Sequence, residues 1–196
     1  MSDESAAVGA IGIFGGSFDP PHAAHVMLAA YVLAVADIDR LLVVPSWSHP
    51  LEKQAHAEFA HRHRMCELAF ADIARVTVSR IEEELGGTSY TLETLEELRW
   101  RHPDTTLRLI IGSDILGEVD RWHRFDRVVE IAPPIVVGRG GYDTRAFDSL
   151  PISLPPISST DVRAKLAAGE PVTGLLPRTV EAYARARGLY ATGAAQ

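Results

Sequence analysis

Cysteine is almost missing from this sequence: Cys66 is the only one in 196 residues, so neither an intramolecular disulfide nor a cysteine-rich zinc site can form. It stands among Met65, Glu67 and Leu68 in a helical-looking stretch and reads as a half-buried helix residue. Long apolar runs are missing as well. No stretch approaches the roughly 20 residues that a membrane span requires, and the acidic start MSDESAAVGA has neither the positive nor the apolar part of a secretory signal. A cytoplasmic chain without a membrane partner is expected. Basic residues are in deficit, 19 Lys and Arg against 26 Asp and Glu, for a formal net charge of −7. That balance argues against broad, salt-driven attraction to nucleic acid, yet permits a local basic pocket for a small phosphate ligand. No internal repeat, low-complexity tract or linker divides the chain. The expectation is one domain over 1–196, with 1–8 and 191–196 as loose ends; a homo-oligomer is left open.

What the chain does have is a regular alternation. AIGIF (10–14), LLVVP (41–45), VTVS (76–79), LRLIIG (107–112) and PIVVG (134–138) are short, rich in Ile and Val, and bounded by Gly, Pro or Ser, as buried strands are. Between and after them, 25–36, 58–73, 91–101 and 124–132 place apolar residues three and four apart, the spacing of a helix that packs one face on a sheet. Strands alternating with helices predict an α/β chain with a Rossmann-like, doubly wound parallel sheet. Two C-terminal helices are predicted near 158–168 and 177–187, with Gly188 placed to stop the second.

This pattern puts GGSFDPPHAAH (15–25) in the loop after the first strand and the first turn of the first helix. Ligands of open α/β sheets bind outside the carboxyl ends of the strands. Gly15 and Gly16 let backbone approach a ligand, Pro20 and Pro21 fix the start of the helix, and the helix N-terminus offers unpaired N–H groups. His22 and His25, three apart on one helical face, can reach the same polyphosphate. Near the other end, Pro155 and Pro156 lead an extended chain to Ser158, Ser159 and Thr160, which open a helix, and Arg163 adds a permanent charge one turn in.

These stretches resemble the signatures of the nucleotidyltransferase superfamily. GGSFDPPHAAH is similar to its G-G-S/T-F-D-P-x-H-x-G-H stretch, and ISSTDVR (157–163) to its I-S-S/T-T-x-I/V-R stretch. Over nearly the whole chain the resemblance is greatest to the bacterial nicotinate mononucleotide adenylyltransferases. TSYTLETLEELR (88–99) resembles their S-Y-T-x-x-T-L segment, IIGSDIL (110–116) their G-x-D segment, and Arg121–Trp122 the Trp that follows. The resemblance implies transfer of the adenylyl group of ATP to nicotinate mononucleotide in NAD biosynthesis. It implies His22, His25 and Arg163 as catalytic residues. Gly15, Gly16, Ser17, Phe18, Gly112, Asp114, Ile157, Ser158, Ser159 and Thr160 become the ATP side. Tyr90, Thr91, Trp122 and Lys53 become the mononucleotide side. Mg2+ is expected with ATP, held by phosphates and water, with no metal site of the protein's own.

Alternatives stay open beside it. Trp122 also reads as a surface-helix aromatic, Tyr90 and Thr91 as a helix cap, and Asp114 as a turn residue, although a strand's carboxyl end favours contact with a ligand. Arg62, in a segment similar to the family's R-x-x-M helix, faces either phosphate or solvent. The chain departs from the family at Ala24, where Gly is usual, which puts a methyl group where the helix approaches the nucleotide. It departs again at VPSWSHPLEKQ (44–54), where either Lys53 or His49 would supply the usual base. The competing readings are a nicotinamide mononucleotide adenylyltransferase, a nucleotidyltransferase with another acceptor, a cytidylyltransferase, and a nucleotide-binding regulator without turnover.

Overall fold

The structure is a computed structural model that describes residues 9–48, 55–138 and 147–191. Strand β1 (Ala10–Gly16) leads into helix α1 (Ala23–Val35), β2 (Arg40–Pro45) and α2 (Phe59–Phe70). Next come β3 (Val76–Val78), α3 (Ile81–Leu85), α4 (Thr91–Arg101) and β4 (Thr106–Gly112). Two tight helical turns, Ser113–Gly117 and Val119–Arg121, precede α5 (Phe125–Ile131) and β5 (Pro134–Val137). The described chain then runs through β6 (Asp148–Leu150), α6 (Ser159–Ala167) and α7 (Arg178–Ala186). All the strand pairings are parallel, in the order β3-β2-β1-β4-β5-β6. That is the doubly wound order expected of a Rossmann-like sheet.

Both faces of the sheet are covered, and the strands alternate between two cores. Phe14, Val43, Ile110, Ile135 and Val137 pack with Leu28, Ala29, Val32 and Leu33 of α1, with Met65, Cys66 and Phe70 of α2, and with Val162 and Val180 of α6 and α7. Ile11, Ile13, Val44, Leu107, Leu109 and Ile111 pack on the other face with Ile81 of α3, Leu92, Leu95 and Leu98 of α4, and Val128 of α5. A strand buried on both faces reads as a continuous apolar run, which is why these strands are visible in the sequence. Cys66 is fully buried rather than half-buried, and burial pushes its thiol pKa up, so it is an inert core residue. Gly188 follows α7 at φ 63°, a left-handed position that ends the helix as expected.

The topology decides where a ligand can bind. From β1 the chain moves outward through β2 to β3, then returns beside β1 with β4 and moves outward the other way. The carboxyl ends of β1 and β4 therefore diverge into helices on opposite faces and leave a crevice between them. Gly15 and Gly16 close β1, and Gly112 closes β4.

Candidate active site

His22 is the N-cap of α1 and His25 lies in its first turn. The His22 backbone N–H donates to His25 Nδ1 at 3.1 Å. An Nδ1 that accepts a hydrogen bond carries no proton, so the neutral His25 ring keeps its proton on Nε2 as a donor. The two rings stack with centroids 3.7 Å apart, and Phe18 supports His25 edge-on at 5.0 Å. Two imidazolium rings at that distance would repel one another inside a buried site. Burial pulls the His22 pKa down to about 4, and burial together with the neighbouring His22 holds His25 well below its ordinary value. Both rings are neutral near pH 7.

This burial has a consequence for stability. His22 binds its proton near pH 4 in the folded protein and near 6.5 when unfolded. Between those values the unfolded chain holds more protons, so stability rises with pH through the window and is fully present above 6.5. Urea unfolding is expected to lose up to about 3 kcal/mol between pH 7 and pH 4 from this residue. The part of the slope due to His22 disappears in His22→Gln.

The two glycines differ in the space around them: a Cβ on Gly16 would lie 3.3 Å from the Phe18 ring. A Cβ on Gly15 would meet no protein atom within 4 Å, so packing alone does not demand glycine there. Phe18 is different from expectation: its side chain is 1% exposed, in a left-handed backbone conformation of φ 47°, locked between Phe14 and Phe70. It is the floor beneath His25, and only its backbone is left to meet a nucleotide. Ala24 is also buried, so its methyl group packs inside the protein and not on the open side of the helix.

The second signature folds onto the first. Ser158 is the N-cap of α6, its Oγ accepting from Asp161 N–H at 3.1 Å. Ser159 Oγ donates to the Pro20 carbonyl at 2.9 Å, and Arg163 Nη1 donates to the Asp19 carbonyl at 2.6 Å. Arg163 Nη2 donates to Thr160 Oγ1 at 3.1 Å. Residues 139 and 144 positions apart thus meet at one helix start, and Ile157 packs against the core beneath them. Arg163 keeps guanidinium donors beyond these two bonds.

A cavity of about 210 Å³ opens at the carboxyl ends of the strands, lined among others by Gly15, Gly16, Ser17, Gly112, Thr91 and Trp122. Thr91 begins α4, whose first-turn N–H groups have no partner within the helix. Tyr90 caps that helix with its ring 5.2 Å from His123 and is not among the residues that line the cavity. Asp114 falls in the turn after β4, and its side chain is not among those described. His49 and Lys53 lie outside the described residues.

Arg62 fits neither expectation. It is 2% exposed, with Nε donating to the Ala57 carbonyl at 3.0 Å and Nη1 to the Ser17 carbonyl at 2.8 Å. It braces the glycine loop from behind. Glu82 was not singled out by the sequence, yet its buried carboxylate lines the cavity, accepting from Trp47 N–H at 2.9 Å and from the Thr94 hydroxyl at 3.3 Å. Ser89 Oγ accepts from Trp47 and Ser48 N–H at 3.1 and 3.0 Å. Together these bonds tie the end of β2 to the start of α4. Among the described residues no group of three or more His, Cys, Asp or Glu side chains could cage a metal ion, and no helix is long and apolar enough to cross a membrane.

Residues 13–165 match the cytidylyltransferase-like family. The chain is 42% identical to a Myxococcus xanthus protein described as "Probable nicotinate-nucleotide adenylyltransferase", over 92% of this chain and 94% of that one. A Thermus thermophilus protein of the same description is 39% identical over 92% of this chain and 98% of its own length. Among solved structures, a Plasmodium falciparum nicotinic acid mononucleotide adenylyltransferase complexed with NaAD superposes with a TM-score of 0.79. It is 22% identical and covers 93% of this chain and 97% of its own.

Proposed function

Because this chain belongs to the cytidylyltransferase-like family, its site can be assigned a reaction, and we propose that it transfers the adenylyl group of ATP to nicotinate mononucleotide. The products are nicotinate adenine dinucleotide and pyrophosphate, and the reaction serves NAD biosynthesis in the cytoplasm. The observation that carries this reading is that α6 bonds through Ser159 and Arg163 to Pro20 and Asp19, in the same loop after β1 that bears Gly15, Gly16 and the stacked His22–His25 pair, where β1 and β4 diverge. The close relatives at 42% and 39% identity, described as probable enzymes of this kind, support the choice of acceptor.

A phosphate oxygen of the mononucleotide attacks the α-phosphorus of ATP. The bond from that phosphorus to the oxygen bridging to the β-phosphate breaks in line, and pyrophosphate leaves. Such a displacement asks the protein to position charges, not to supply a nucleophile. His25 donates from Nε2 to an α-phosphate oxygen, and His22 holds the phosphates beside it. Arg163 and the Ser159–Thr160 helix start neutralise the departing pyrophosphate. Gly15, Gly16, Ser17, Phe18, Gly112 and Asp114 would bound the nucleotide, with Ile157 and Ser158 seating α6 beneath the phosphates.

On the acceptor side, Trp122 offers an aromatic face to the cationic pyridinium, and the N-terminal N–H groups of α4 at Thr91 receive the nicotinate carboxylate. Tyr90 shapes that helix start, and Lys53, with His49 as the alternative, is assigned to the mononucleotide side. Mg2+ would accompany ATP, held by its phosphates and by water, and would supply charge neutralisation there. The test is product identity. Purified protein with ATP, Mg2+ and nicotinate mononucleotide should yield nicotinate adenine dinucleotide and pyrophosphate one for one by mass spectrometry and coupled assay; pyrophosphate without the dinucleotide would refute the acceptor.

A further inference from the structure

Near the C-terminal end of the described chain, Tyr190 has a backbone φ of 67°, a left-handed conformation that a bulky residue keeps only where its surroundings hold it. What holds it is Asp19. The Tyr190 hydroxyl donates to Asp19 Oδ1 at 2.7 Å, across 171 residues of sequence. The same carboxylate accepts from His56 N–H at 2.7 Å and Ala57 N–H at 3.2 Å, and Asp19 is 3% exposed. Its carbonyl accepts from Arg163 Nη1 at 2.6 Å. One residue, directly ahead of Pro20, Pro21 and His22, therefore gathers the loop before α2, the C-terminal segment and α6 at a single point. Burial and the Asp19 carboxylate raise the Tyr190 pKa far above its ordinary value, so the hydroxyl stays protonated and remains a donor.

Tyr190 also lines an open cavity of about 270 Å³ with His56, Thr160 and Arg163. Neither Tyr190 nor Asp19 borders the other cavity, which Gly15, Gly16, Ser17 and Gly112 line together with Thr91 and Trp122. The carboxylate and the carbonyl of Asp19 belong to one residue, so tethers on the first restrain the second, which accepts from the Arg163 guanidinium. We propose that Tyr190 is a positioning residue for the ATP side of the site, acting through Asp19 on Arg163. This rests on the assignment of Arg163 to the phosphates of ATP made above.

Tyr190→Phe removes the hydroxyl and keeps the ring. ATP dissociation measured by calorimetry, and KM for ATP, should both rise about tenfold, equivalent to about 1.4 kcal/mol, while KM for the mononucleotide stays within twofold. A loss of general stability would not divide the two substrates in this way. In an Arg163→Ala background the same substitution should change ATP affinity by less than twofold, because both changes break one chain of contacts. Asp19→Asn weakens the bond from its other end and should show the same division between substrates. Unchanged ATP affinity, equal loss for both substrates, or full additivity with Arg163→Ala would overturn the proposal. The ATP titration needs no acceptor, so a wrong acceptor leaves it standing; wild-type protein that binds no ATP refutes the functional reading and the proposal together.

Discussion

Replacing His25 with alanine should lower turnover by a factor of about 10²–10³, the usual cost of removing one aligned donor from a developing oxyanion. The geometry explains the size of the effect. The ring is neutral, its Nδ1 is occupied by the His22 N–H at 3.1 Å, and its remaining Nε2 proton is the one available to a phosphate. Phe18 and the stacked His22 fix its direction, so no reorganisation is required when charge develops. The fold should survive. Alanine loses the acceptor for the His22 N–H, a cap worth about 1 kcal/mol, which lowers Tm by only a few degrees in a chain of this size. Steady-state pyrophosphate release and a thermal melt on the same preparation check both halves. Turnover within tenfold of wild type would remove His25 from the chemistry.

Arg163→Ala should be nearly as damaging, with kcat lowered about 10²–10³-fold, since an arginine that neutralises transferring phosphates is commonly worth at least that much. Lysine should restore less than tenfold of the loss. The guanidinium donates through Nη1 to the Asp19 carbonyl and through Nη2 to Thr160 Oγ1, and still has donors for a phosphate. A single ammonium on a flexible stem cannot hold that fork. Rapid-quench measurement of the chemical step, with saturating ATP, separates this effect from weakened binding. Full rescue by lysine would mean that charge alone, without placement, is what the site needs from residue 163.

Much of the architecture was legible because its physical causes are local. Strands such as Leu107–Gly112 are apolar on both faces, and helices such as Thr91–Arg101 carry one apolar stripe. Helix α3 went unseen because five residues are too few to show a period. Strand β6, Asp148–Leu150, went unseen because an edge strand of three residues with two exposed has no apolar run to announce it. The site divides in the same way. His22, His25 and the Ser158–Arg163 helix start stand in compact signatures, and the structure brings them together. The groups that hold them do not. Asp19 sits inside a signature, but its partners His56, Ala57 and Tyr190 lie 37, 38 and 171 residues away. Arg62, expected to face either phosphate or solvent, is instead drawn inside by the backbone carbonyls of Ala57 and Ser17. Long-range polar contacts of this kind leave no periodic trace in a sequence.

The proposed reaction joins an ATP site to a pocket that receives a carboxylate on a pyridinium ring. It is tested most directly by pyrophosphate release from purified protein with ATP and Mg2+, comparing nicotinate and nicotinamide mononucleotide side by side. A kcat/KM at least tenfold higher for the acid is expected, because the α4 N-terminus favours an anion over a neutral amide. Equal rates, a preference for the amide, or no release with either mononucleotide would contradict it.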